Sequence, residues 1–164
     1  MPQLRLILIA TLLSFPLITV KAEESNLKPG DLFPAITLEN QHGETINIDS
    51  QTRLLLFSAD MGGGKLVRKV VEQHKSVADL VNSDTVRYIS DVSNMPSMIR
   101  RMMALPAMRK RPYPILLDTK GETTANFPRR SETVSLIQLN QLTITSISYS
   151  STVQQLAEAL KTLE

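Results

Sequence analysis

The chain has 164 residues, 18 basic and 16 acidic side chains, a net charge of +2 and no cysteine, and the missing cysteine removes every thiol and disulfide mechanism. Two of the basic residues, Arg5 and Lys21, lie in an N-terminal leader; without them sixteen charges of each sign remain, so the basic pI is no argument for a nucleic-acid partner. A domain of the remaining length buries roughly two-thirds of its unfolded surface, enough to fold without a disulfide or metal staple.

Residues 1–22 read as a secretory signal: Arg5 supplies the positive start, Leu6 to Val20 is an uncharged apolar run, and Val20-Lys21-Ala22 offers a cleavage site. The run contains Pro16 and is shorter than the roughly 20 residues that span a bilayer. The expectation is a leader over 1–22, one domain over 23–164, a periplasmic or secreted location, and no stable membrane span after cleavage. With no cysteine, lipid attachment at a signal-peptidase cysteine is excluded.

Ile36-Thr37-Leu38 and Thr45-Ile46-Asn47-Ile48, joined by the turn-rich Asn40-Gln41-His42-Gly43-Glu44, predict a hairpin. Arg53 to Ser58 has the length and apolarity of a buried strand, and Asp60 and three glycines follow it. Leu66, Val67, Val70, Val71, Val77, Leu80 and Val81 recur at helical spacing, predicting one amphipathic helix over 65–82. Val86 to Ser90 is the next strand, and a helix begins near Pro96 and ends at Leu105-Pro106. Ile115 to Asp118 is a third strand, 134–139 and 142–147 form a second hairpin around Asn140-Gln141, and 153–163 is a closing helix capped by Ser151 or Thr152. Strand–helix–strand units followed by an antiparallel pair predict an α/β, three-layer domain with a mixed sheet, helices on both faces and an N-terminal β-hairpin.

This order resembles the thioredoxin superfamily, in particular its peroxiredoxin-like branch. Pro29 to Leu38 with Gly43-Glu44 is similar to that branch's opening hairpin, Leu54 to Asp60 to the strand before its redox motif, and Tyr113 to Asp118 with Lys120-Gly121 to its cis-proline strand and following turn. The resemblance spans about residues 28 to 163. It implies a thioredoxin-like fold with a cis Tyr113-Pro114 bond facing the start of the first helix. Where the family has Cys-x-x-Cys, this chain has Gly62-Gly63-Gly64-Lys65, with Gly62 and Lys65 at the cysteine positions, so redox activity is not carried over.

The strongest candidate site is therefore Gly62, Gly63, Gly64 and Lys65 with Arg111, Tyr113 and Pro114, because uncovered N–H groups at a helix start receive anions and glycine lets a ligand approach the backbone. Arg109, Lys110, Arg129 and Arg130 would help frame an acidic ligand. The corresponding function is a non-catalytic binding or scaffold module of the cell envelope that holds a peptide, an envelope protein or a small anion. One alternative is a thiol-independent enzyme using Lys65 or Asp60 as acid, base or anion stabiliser. Another is soft-metal, Cu(I), binding by the methionine segment 95–108 through Met95, Met98 and Met102. Against that stands a plain packing role, with Ile99, Met102, Met103 and Leu105 as a buried stripe. No dinucleotide glycine pattern occurs and no cofactor is expected. His42 falls in an exposed turn and His74 on the apolar side of the long helix. Asp60 and Asp91 are the acids at strand C-terminal ends.

Overall fold

The computed structural model describes residues 27–162; the leader read over residues 1–22 lies outside them. The elements are β1 (Thr37–Asn40), β2 (Thr45–Asn47), β3 (Leu54–Ser58), α1 (Met61–Gln73), α2 (Lys75–Val81), β4 (Val86–Asp91), α3 (Ser97–Ile99), a π-helical turn (Arg100–Ala104), α4 (Leu105–Arg109), β5 (Leu116–Asp118), β6 (Val134–Asn140), β7 (Thr143–Ser150) and α5 (Val153–Lys161). They form one mixed sheet in the order β2-β1-β5-β4-β3-β6-β7. β3 and β4, and β4 and β5, pair in parallel, while the flanking pairs are antiparallel.

The alternation of β3 divides the core. Leu54 and Leu56 point to a cluster shared with Val67, Val70 and Val71 of α1, Val77 and Val81 of α2, and Leu156 and Leu160 of α5. Leu55 and Phe57 point the other way, to Phe33, Ile48 and Phe127. Phe127 meets Phe33 and Phe57 edge-on, with ring centroids 5.4 and 5.1 Å apart, a favourable quadrupole arrangement. The third layer on this second face is thus made of irregular chain from the N-terminal segment and from the 119–133 connection, with no helical residue in its core.

Three local readings change. The helix predicted over 65–82 begins at Met61, because Asp60 caps it, and breaks at His74, which adopts φ −129°, ψ 108°. A continuous helix would place His74 on the buried stripe with Val70 and Val77, where its polar ring would need a partner; the break leaves it half-buried and returns Val77 and Val81 to the core.

The second change lies in residues 97–109. Pro106 does not end the helix: the Leu105 N–H donates to the Arg100 carbonyl five residues back, and the wider turn relieves the clash proline would have with the carbonyl four residues before it. One extra residue in that turn shifts the helix face by about 100°. Leu105 and Met108 pack against the helix-side core, whereas Met98, Ile99, Met102 and Met103 are 71, 46, 72 and 68% exposed. The expected buried stripe of Ile99, Met102, Met103 and Leu105 is therefore not formed.

The third change is the Tyr113-Pro114 bond, which is trans; there is no cis peptide bond among the described residues. Gln41, expected in an exposed turn, is instead 2% exposed. Its Nε2 donates to the Tyr113 carbonyl at 2.8 Å, and its Oε1 accepts from the Ile115 N–H at 2.7 Å. A carbonyl at 113 and an N–H at 115 aimed to one side are what a trans, extended chain presents on entering a strand. Gln41→Leu orphans both backbone groups in the interior. At roughly 1–3 kcal/mol per unsatisfied buried group, it is expected to destabilise by about 3 kcal/mol in urea unfolding, and a loss under 1 kcal/mol would show that water replaces the clamp.

Candidate functional site at the start of the first helix

The three glycines are not a loop before α1; they form its first turn. Asp60, leaving β3, holds that turn with both carboxylate oxygens. Oδ1 accepts from the Gly63 N–H at 2.9 Å and Oδ2 from the Glu132 N–H at 2.7 Å, while the Gly64 N–H donates to the Asp60 carbonyl at 3.2 Å. A carboxylate thus already sits at the positive end of the helix, where an external anion would have bound.

The chain facing the glycines is Glu132-Thr133, the lead-in to β6. A β-carbon on Gly62 would lie 2.9 Å from the Glu132 Cα, and one on Gly63 would lie 2.3 Å from the Thr133 carbonyl oxygen. Glycine is required here because backbone meets backbone, and Glu132 itself takes φ 57°, a conformation side-chain-bearing residues seldom adopt. Gly64 differs: its β-carbon would stand 3.6 Å from the Tyr88 hydroxyl, ordinary contact. That hydroxyl belongs to a buried network, with Ser58 Oγ 2.9 Å from Tyr88 Oη and donating to Ser90 Oγ at 3.2 Å. Burial pushes the Tyr88 phenol above its ordinary range.

The expected partners of the glycines are elsewhere. Tyr113 precedes β5, two strands away from β3; it is buried against Tyr88, ring centroids 6.4 Å apart, and burial pushes its hydroxyl up to about 12. Arg111 pairs with Glu72 at 2.7 Å, ten residues beyond Gly62 and hence about 15 Å along α1. Arg109 donates to the Gln41 carbonyl at 2.9 Å, and the Arg130 guanidinium lies 3.7 Å from the Tyr149 ring centroid. Lys110 is exposed. The basic residues do not converge on the glycines. By topology, the position given to Tyr113-Pro114 belongs to Glu132-Thr133, which contains no proline. The sequence signal that would have found it is the strand that follows, Val134 to Leu139, in which Val134, Leu136, Ile137 and Leu139 are apolar, enough for a strand inside the sheet and beside β3.

Lys65 is exposed, and Asp60, the other residue of the enzymatic alternative, has each oxygen engaged by a backbone N–H. Asp91 is also structural. Its Oδ2 accepts from Arg129 Nη1 at 2.7 Å and its Oδ1 from the Ser93 N–H at 2.9 Å. Arg129 also donates to the Thr124 carbonyl at 2.6 Å and stacks 5.3 Å from the Phe57 centroid. Asp118 gathers the N–H groups of Lys120, Gly121 and Thr124. These two aspartates shape the irregular 119–133 connection, and with it the placement of Glu132.

A 520 Å³ open cleft lies away from the glycines, lined by residues including Glu39, Gln41, Arg109, Lys120 and Glu122. Among the described residues, no group of three or more His, Asp or Glu side chains is placed to hold a metal ion. Of the methionines considered for copper, Met98 and Met102 are exposed and Met95 is half-buried. No described helix is long and apolar enough to cross a membrane.

No family model matches the chain, and no curated protein matches it in sequence. Solved structures do match in shape. The thioredoxin domain of a thiol-disulfide oxidoreductase from Bacteroides vulgatus has 12% identity and a TM-score of 0.55, with 84% of this chain and 98% of that one covered. The peroxidoxin BcpB from Mycobacterium tuberculosis has 16% identity and a TM-score of 0.54, covering 84% and 99%. The exposed lipoprotein thioredoxin of Streptococcus pneumoniae has 13% identity and a TM-score of 0.55, covering 79% and 99%. At these identities the likeness establishes the fold: the chain is thioredoxin-like, with a mixed seven-stranded sheet and an N-terminal hairpin, and it carries no cysteine.

Proposed function

We propose that this cysteine-free, thioredoxin-like chain is a non-catalytic binding protein of the cell envelope, in which the former redox face presents a rigid surface to an extended peptide. The observation that carries the reading is Asp60, whose carboxylate locks the start of α1 to Glu132. A seat filled by the protein's own carboxylate disfavours a small anion as ligand, since two like charges would compete for the same N–H groups. What remains open at this face is side-chain surface: Met61, 67% exposed, the exposed Lys65, and the Glu132 side chain. An exported location is supported by the leader-like residues 1–22 and by a structural likeness to an exposed lipoprotein.

The test is cross-linked capture of envelope proteins by the purified chain and by a Met61→Ser, Lys65→Glu variant. Both side chains are exposed, so the variant keeps its fold. Capture of a partner by the native chain and at least about tenfold less by the variant is expected, equivalent to about 1.4 kcal/mol. Equal capture by both would remove this face from the function.

A further inference from the structure

Among the described residues, four of the six exposed large apolar side chains, Met98, Ile99, Met102 and Met103, fall within six residues. The surrounding stretch from 92 to 117 contains Arg100, Arg101, Arg109, Lys110 and Arg111 and no Asp or Glu. Only Arg111 has a carboxylate partner, Glu72; among the described residues the other four pair with none. Arg100 donates to the Val92 and Thr119 carbonyls at 3.1 and 3.3 Å, which fixes the helix to the sheet ends and leaves its charge uncompensated. The π-helical turn is what faces the methionines outward, since it puts them out of step with Leu105 and Met108. A chain with a net charge of only +2 has thus gathered apolar and cationic side chains on one short helical segment.

We propose that this segment docks the protein on an anionic lipid surface, with Met98, Ile99, Met102 and Met103 entering the interface and Arg101 and Lys110 meeting the headgroups. Met98, Met102 and Met103 are about 70% exposed and Ile99 46%, and a fluid interface closes around side chains that stand clear of the surface. Methionine suits this, being unbranched and adaptable. Unpaired arginine and lysine supply the attraction to anionic headgroups. With four apolar anchors the attachment is peripheral and reversible.

The test is co-sedimentation of the full chain with phosphatidylcholine vesicles, with and without phosphatidylglycerol. It is repeated for Arg101→Glu, Lys110→Glu and for Met98→Ser, Met102→Ser, Met103→Ser, whose folding is checked by thermal melts. The native chain is expected to bind the anionic vesicles, to release as salt rises, and to bind at least about tenfold better than either variant. Residues 1–22 are common to all three proteins, so binding through them would be equal in all three and would overturn the proposal. Equal binding to neutral and anionic vesicles, or none, would do the same. Tight binding of an acidic amphipathic peptide with no affinity for vesicles would assign the surface to a protein instead.

Discussion

Gly63→Ala is expected to destabilise the protein by about 3 kcal/mol or more, whereas Gly64→Ala, one residue on, should stabilise it. The two share a helix turn and differ in what lies above them. At Gly63 the new β-carbon would stand 2.3 Å from the Thr133 carbonyl oxygen and 3.0 Å from the Ser58 Cβ. Neither β3 nor the lead-in to β6 can retreat without breaking their pairing, so the strain goes beyond the usual 1–3 kcal/mol for core overpacking. At Gly64 the nearest atom is 3.6 Å away, and alanine gains about 1 kcal/mol of helix propensity over glycine. Chemical denaturation of the two variants checks both signs. If Gly63→Ala were neutral, the glycines would be there for something other than backbone packing, and a ligand approaching that backbone would again be the better account.

The other large effect is at Asp91. Its side chain is 2% exposed and that of Arg129 17%. Asp91→Ala leaves a largely buried guanidinium unpaired, at a cost of about 3–5 kcal/mol. Adding Arg129→Met should recover more than half of that, because the uncompensated charge goes with the partner. The pair also sets an acid limit. Burial alone would raise the Asp91 carboxyl, but the bonds from Ser93 and the Arg129 charge outweigh it and hold it below its ordinary 3.8. A lowered folded-state value means the contribution is complete above the unfolded value and is lost as pH falls through the folded one. The stability gap between native chain and Asp91→Ala should therefore be constant near neutrality and shrink below about pH 4. A gap independent of pH down to acid unfolding would show that Asp91 contributes by packing rather than by charge.

The candidate site was half legible. Gly62-Gly63-Gly64 after Ser58 and Asp60 marks the strand-to-helix junction where a thioredoxin-like fold puts its chemistry, and the structure forms that junction there. Its opposite wall was misplaced. Tyr113-Pro114 stands before a strand with a turn after it, as the family's cis-proline segment does, but β5 pairs with β1 and β4 and not with β3. Strand neighbours are a long-range property, and two short apolar runs in one chain look alike until the sheet is assembled. Gln41 escaped notice for a similar reason: it lies in a polar turn whose burial is created by residues 113–115, more than seventy positions away.

By itself the sequence determined which chemistry is absent, since a chain without cysteine has no thiol to offer, and it determined the order of strands and helices, because apolar periodicity is a local property of consecutive residues. Only the tertiary structure decided what faces the first helix and which side of the methionine segment meets solvent. The first depends on strand pairing across the chain. The second depends on one additional residue in a helical turn, which leaves composition unchanged and rotates every side chain beyond it relative to those before.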